Sequence, residues 1–128
     1  MPLYHKRWND PVEPTDGWRL LICRYRPRNV KKDEETWHDW YPHLGPSPDL
    51  FAAAYGKNGP PIAFAEYAQR YEQEMTKQTQ AIDELAARLR FGESITLLCS
   101  SACWDASTCH RTLLAQLIVQ RLAQWETR

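Results

Sequence analysis

A chain of 128 residues holds one compact domain with a core of its own. Hydrophobic residues at 43% and charged residues at 25% exclude collagen-like, low-complexity, disordered and disulfide-framework classes. Lys plus Arg and Asp plus Glu stand at 16 each, so net charge indicates neither nucleic acid nor an anionic membrane as partner.

Leu3 to Trp8 reads as a short edge strand, and Asp10-Pro11 through Asp16-Gly17 as a turn-rich connection. Trp18-Arg19-Leu20-Leu21-Ile22-Cys23-Arg24 is a continuous apolar run between turn signals, the pattern of a strand buried on both faces. A loop dense in Arg, Lys and Pro follows. Trp37, His38, Trp40, Tyr41 and His43 then cluster at a density that serves to cover a core, with an aromatic wall for stacking a base or ring as the functional alternative. Ser47-Pro48 opens a short helix, with Ser47 as N-cap and Pro48 at the first helical position, and Gly56 and Gly59 end it.

Pro61 opens the longest predicted element. Phe64, Tyr67, Ala68, Tyr71, Met75, Ile82, Leu85 and Leu89 recur at helical steps, and Gly92 closes a single helix of roughly eight turns. Ile95-Thr96-Leu97-Leu98-Cys99 is a second buried strand. Leu113, Leu114, Leu117, Ile118, Leu122 and Trp125 mark a C-terminal amphipathic helix. Strand and helix alternate, so residues 1–128 read as one α/β domain: a small, mostly parallel sheet of two to four strands covered by helices.

Chemistry concentrates in Cys99-Ser100-Ser101-Ala102-Cys103-Trp104-Asp105-Ala106-Ser107-Thr108-Cys109-His110-Arg111, between a strand's carboxyl end and a helix. Ligands of open α/β sheets bind at such places. With Ser107 or Thr108 as N-cap, Cys109, His110 and Arg111 fall in the first turn. Cations are disfavoured there by about 0.3–1 kcal/mol, so their presence suggests a phosphate or carboxylate site built from backbone N–H groups, Ser100 and Arg111. A thiol in that turn beside His and Arg is also activated, which makes Cys109 and His110 the catalytic candidates and Cys103 a resolving thiol. Zinc is disfavoured by spacing. Three and then five residues separate Cys99, Cys103 and Cys109, and the adjacent Cys109-His110 pair is awkward for one tetrahedral ion. No metal and no cofactor are assigned.

Arg24-Tyr25-Arg26-Pro27-Arg28-Asn29-Val30-Lys31-Lys32 carries five cations in nine residues, directly after the first good strand. If the two strands are parallel neighbours, Arg24, Arg28 and Arg111 converge on one anionic, phosphorylated or nucleotide-like ligand held by the loops 24–32 and 99–111. The bland reading is a solvated loop neutralised by Asp33, Glu34 and Glu35. The alternatives are an interaction module for a protein or nucleic acid and a thiol-based redox protein; enzyme status and oligomeric state stay unassigned. No stretch approaches the ~20 apolar residues of a membrane span, and MPLYHKRWND has no apolar signal core. The expected compartment is the cytoplasm, and its four cysteines are expected as thiols.

Lys6-Arg7-Trp8, Asp16-Gly17-Trp18-Arg19-Leu20-Leu21, Arg24, Pro27-Arg28, Trp40, Pro46-Ser47, Leu50, Phe64-Ala65-Glu66-Tyr67, Arg70-Tyr71, Glu74 and Thr96-Leu97-Leu98 stand in a familiar order. The chain thereby resembles the YeaO-like bacterial family, domain of unknown function 488, over nearly its whole length. Cys109-His110-Arg111 is similar to the tripeptide that opens the last helix in that wider family. The family's D-R-x-W-P-R-G segment is altered: Cys23 stands for Asp, Arg26 for Trp and Asn29 for Gly, while Arg24, Pro27 and Arg28 remain. The resemblance implies a small α/β fold in a bacterial intracellular protein and names no reaction.

Overall fold

The computed structural model describes residues 2–57, 59–103 and 105–126. Its strands are β1 (Leu3–Arg7), β2 (Trp18–Leu21), β3 (Asp39–Trp40) and β4 (Ile95–Cys99). They lie in the order β1-β4-β2-β3, and every pairing is parallel. The helices are α1 (Pro48–Ala54), α2 (Phe64–Met75), α3 (Thr79–Arg90) and α4 (His110–Glu126). This is the expected α/β architecture, with the strand count at the upper end of the expected range. No helix among the described residues is long and apolar enough to cross a membrane.

β4 is buried along its whole length because it is flanked by β1 and β2 and covered on both faces. Alternation along the strands sorts the side chains. Leu20, Ile22, Ile95 and Leu97 join one core with Leu50 of α1, Tyr71 of α2, Leu85 of α3 and Leu114 of α4. All four helices therefore pack on that face. The other face is closed without an α-helix among the described residues: Leu21, Cys23 and Leu98 pack with Trp37, and Trp8 stands edge-on to Trp37 with ring centroids 6.0 Å apart. The expectation that tryptophan covers a core holds for Trp37, which is 8% exposed.

That second face also buries charge. Arg19 of β2 pairs with Asp16, and the same carboxylate receives Lys6 of β1 at 2.7 Å. Thr96 of β4 donates to the Asp16 carbonyl at 2.7 Å. One residue thus ties three adjacent strands together. Gly17 makes the tie feasible: its φ is +65°, and a Cβ there would lie 2.3 Å from the Ser94 carbonyl oxygen.

Two expectations are corrected. The run 18–24 is shorter as a strand, ending at Leu21 with one further ladder bond from Ile22 N–H to the Leu98 carbonyl. The single helix 61–92 is two helices, separated by a tight turn in which Thr76, Lys77 and Gln78 donate to Gln73, Glu74 and Met75. Length explains the break. A continuous helix over 64–90 would run about 40 Å, against about 17 Å for a five-residue strand, so half of its apolar face would overhang the sheet. Met75 and Ile82 are one heptad apart, which carried the period across the turn and concealed it.

Candidate functional site

The carboxyl ends of β2 and β4 lie side by side because the strands are parallel neighbours. The loops that leave them enclose a cleft of about 790 Å³. Arg24, Arg26 and Arg28 from the first loop and Ser100, Cys103 and Cys109 from the second line it. Phe51 and Tyr55 from the α1 region, Lys57, and Phe64 and Tyr67 of α2 form the facing wall. In the sequence Tyr67 and Phe64 stand out only as part of a helical core stripe, and no local signal marks Tyr55 or Lys57.

The cations differ in how firmly they are held. Arg24 donates to the Pro46 carbonyl at 2.8 Å, and Arg26 pairs with Glu35 at 2.7 Å while its guanidinium lies 5.4 Å from the Trp37 ring centre. Arg28 is exposed, with no hydrogen-bond or ion-pair partner among the described residues. Lys57 stands 4.9 Å from the Phe51 ring centre. Of the glutamates expected to neutralise this loop, Glu35 does so for Arg26 alone, and Glu34 turns to the Lys31 backbone N–H at 2.8 Å.

Arg24 and Arg28 are brought together on the cleft, but Arg111 does not join them. α4 begins at His110, and Arg111 is turned inward, 5% exposed, with Nε and Nη1 lacking hydrogen-bond partners among the described residues. The helix start is also later than expected. Asp105, not Ser107 or Thr108, provides the capping side chain, and it caps a short 3-10 turn over Ala106–Thr108. Cys109 is extended, with φ −118° and ψ 146°, and so precedes the helix instead of lying in its first turn. Ser100 lines the cleft and accepts from the Ala102 N–H at 3.1 Å.

Beneath the cleft the cysteines converge. The sulfurs of Cys99, Cys103 and Cys109 all lie within 4.8 Å of one another, with Cys99 and Cys109 3.2 Å apart. Cys23, from the end of β2, packs in the same buried cluster. His110 joins from α4: its Nδ1 is 3.8 Å from the Cys99 sulfur and 3.9 Å from that of Cys109. Its Nε2 lies 2.9 Å from the Ile22 carbonyl, which can only accept, so Nε2 carries the proton and Nδ1 presents its lone pair to the thiols. Burial pushes the His110 pKa down and keeps the ring neutral. The spacing objection to a shared cysteine–histidine site fails here, because the backbone turns from extended to helical between Cys109 and His110 and both side chains reach the cluster.

Charge is unevenly shared among the sulfurs. Hydrogen bonds from Cys109 and then Cys99 hold Cys103 well below the ordinary thiol range, with positive charge from Arg111 adding to them. Donation to Cys103 and burial push Cys109 up, and Cys99 likewise. The thiol held toward its ionised form is therefore Cys103, the half-buried one, whereas Cys109, 2% exposed, is held toward its protonated form.

Fold and site together define a small parallel α/β protein whose strand ends carry a cysteine–histidine cluster beneath a cationic, aromatic-walled cleft. Residues 3–122 match a family model described as the active DUF488-N3 subclade, and the chain belongs to this YeaO-like DUF488 family. It is 31% identical over 86 residues to the uncharacterized protein YeaO of Escherichia coli, covering 67% of this chain and 72% of that protein. It is 29% identical over 109 residues to the uncharacterized proteins Rv3073c of Mycobacterium tuberculosis and Mb3100c of Mycobacterium bovis, covering 85% of this chain and 86% of each. No solved structure matches the chain.

Proposed function

We propose that the cleft at the carboxyl ends of β2 and β4 binds an anionic, ring-bearing small molecule of the phosphorylated or nucleotide-like class. One observation carries this reading: the unpartnered Arg28, together with Arg24, shares a cavity of about 790 Å³ with the rings of Phe51, Tyr55, Phe64 and Tyr67. That volume falls within the range of roughly 300–1,000 Å³ usual for small-molecule sites. Guanidinium groups match phosphate oxygens by paired donors, and the rings offer apolar surface for a base or sugar. Strand carboxyl ends are the usual binding place in open parallel sheets. The description of this subclade as active accords with a cleft that receives a reactant.

The test is a thermal-shift and calorimetric screen with inorganic phosphate, mononucleotides and sugar phosphates, on the wild-type protein and on Arg28→Ala. A ligand at a hundred times its Kd adds about 2.7 kcal/mol of stability. The reading expects at least one anion to raise the melting temperature, with Arg28→Ala weakening its binding about tenfold or more. Absence of any shift, or a shift unchanged in Arg28→Ala, overturns it.

A further inference from the structure

We infer that Cys99, Cys103, Cys109 and the Nδ1 atom of His110 form a tetrahedral zinc-binding site beneath the cleft. The site goes beyond the anion-binding reading and does not depend on it.

Zinc–sulfur bonds near 2.3 Å and zinc–nitrogen bonds near 2.1 Å place tetrahedral ligand atoms about 3.6–3.8 Å apart. His110 Nδ1 stands 3.8 and 3.9 Å from the sulfurs of Cys99 and Cys109, and the three sulfurs lie within 4.8 Å of one another. Opening the 3.2 Å separation of Cys99 and Cys109 by about half an ångström and drawing Cys103 inward completes the set.

The donor chemistry fits the same ion. Three thiols and one neutral imidazole are the ligand types of closed structural zinc sites. A zinc-ligating histidine ordinarily donates its second ring N–H to a carbonyl or carboxylate, which fixes the tautomer and aims the first nitrogen. The bond from His110 Nε2–H to the Ile22 carbonyl does this before any ion is bound. Three thiolates and one divalent cation leave one negative charge. Arg111, the next residue of α4, is 5% exposed with Nε and Nη1 unpartnered among the described residues, and its positive charge bears on Cys103.

The ligands also have a structural task that suits a metal. Cys99 ends β4, Cys103 sits in the following loop, and Cys109 and His110 lead into α4. One ion would clamp that loop between strand and helix and set the floor of the cleft. Binding forms three zinc–sulfur bonds and one zinc–nitrogen bond, and each proton the three thiols still carry is released to solvent. No electron is transferred.

The experiment takes the full chain, reduced and freed of metal by chelator, and titrates it with Zn²⁺ and, separately, with Co²⁺ as a spectroscopic probe. Expected are one equivalent of zinc per chain, a raised melting temperature, and for cobalt the intense absorption of tetrahedral thiolate coordination. Cys103→Ser and His110→Gln should each weaken zinc binding about tenfold or more, whereas Cys23→Ala should retain one equivalent. Circular dichroism of each variant separates lost ligands from lost fold, and Cys103, half-buried in a loop, is the cysteine ligand whose replacement disturbs the core least. The inference is overturned by absence of stoichiometric zinc, by octahedral cobalt spectra, or by unchanged affinity in Cys103→Ser. It is equally overturned if Cys99 and Cys109 form a disulfide in protein prepared under reducing conditions with zinc supplied. The phosphate and nucleotide screen has no metal readout, so either reading fails independently of the other.

Discussion

His110, the first residue of α4, donates its Nε2–H to the carbonyl of Ile22 at 2.9 Å, tying the last helix to the end of β2 across 88 residues of chain. The bond satisfies a carbonyl at a strand end where the ladder has stopped, and both partners are buried.

Replacing His110 by Ala leaves that carbonyl without a partner. A buried group deprived of its hydrogen bond costs about 1–3 kcal/mol. Urea unfolding of metal-free His110→Ala should show a loss in this range. A loss below about 0.5 kcal/mol would mean that the tie contributes nothing.

Asp16 should govern stability in acid. Burial pushes its carboxyl pKa up, but the hydrogen bond from Lys6, the Glu13 backbone N–H and the pairing with Arg19 outweigh it and hold the value below the ordinary carboxylate range. A group whose pKa is lowered on folding gives stability that is present above its unfolded pKa, about 3.9 for Asp, and lost as pH falls through the folded value. Urea midpoints measured downward from pH 5 should therefore drop below about pH 4 in the wild type. In Asp16→Asn this part of the acid limb should disappear, with a loss at neutral pH of about 3–5 kcal/mol because the buried Arg19 is left uncompensated.

Gly17→Ala and Gly92→Ala form a matched pair. Both positions have positive φ, +65° and +94°, but only at Gly17 does an added Cβ collide with backbone, at 2.3 Å from the Ser94 oxygen. The conformational strain common to both is about 1–3 kcal/mol. Gly17→Ala should exceed that range or fail to fold, while Gly92→Ala stays within it. Equal losses in thermal denaturation would contradict the close approach.

Thiol alkylation should single out Cys103. Its side chain is half-buried on the cleft lining, whereas Cys23, Cys99 and Cys109 are 7%, 1% and 2% exposed. In reduced, metal-free protein, mass spectrometry of a timed iodoacetamide series should find Cys103 modified first and the other three only as fast as the fold opens. Cys109 reacting ahead of Cys103 would contradict this order.

Much of the fold was readable because its causes are local. Ser47 caps α1 by accepting from the Leu50 N–H at 3.2 Å, as the Ser-Pro pair implied. The apolar runs at 18–24 and 95–99 needed no partner to be identified as buried strands, the first proving shorter, and alternation with helices made their pairing parallel. The composition of the strand-end loops likewise placed Arg24, Arg28 and Ser100 beside the thiols. What only the tertiary structure decided is direction. Helical spacing reports which face of a helix is apolar and not where its axis turns, so the break at Thr76 to Gln78 left no mark in the period. β3 is two residues long and exists because His38 and Tyr41 donate to carbonyls of β2, a pairing that no propensity announces. The position of Arg111 near a helix start points to an anionic ligand, yet its side chain is turned inward. Cys23, Cys99, Cys103, Cys109 and His110 become one cluster only once β2 and β4 lie side by side and the backbone bends at Cys109, because contact between residues distant in sequence is set by packing of the whole sheet and not by the spacing of residues along the chain.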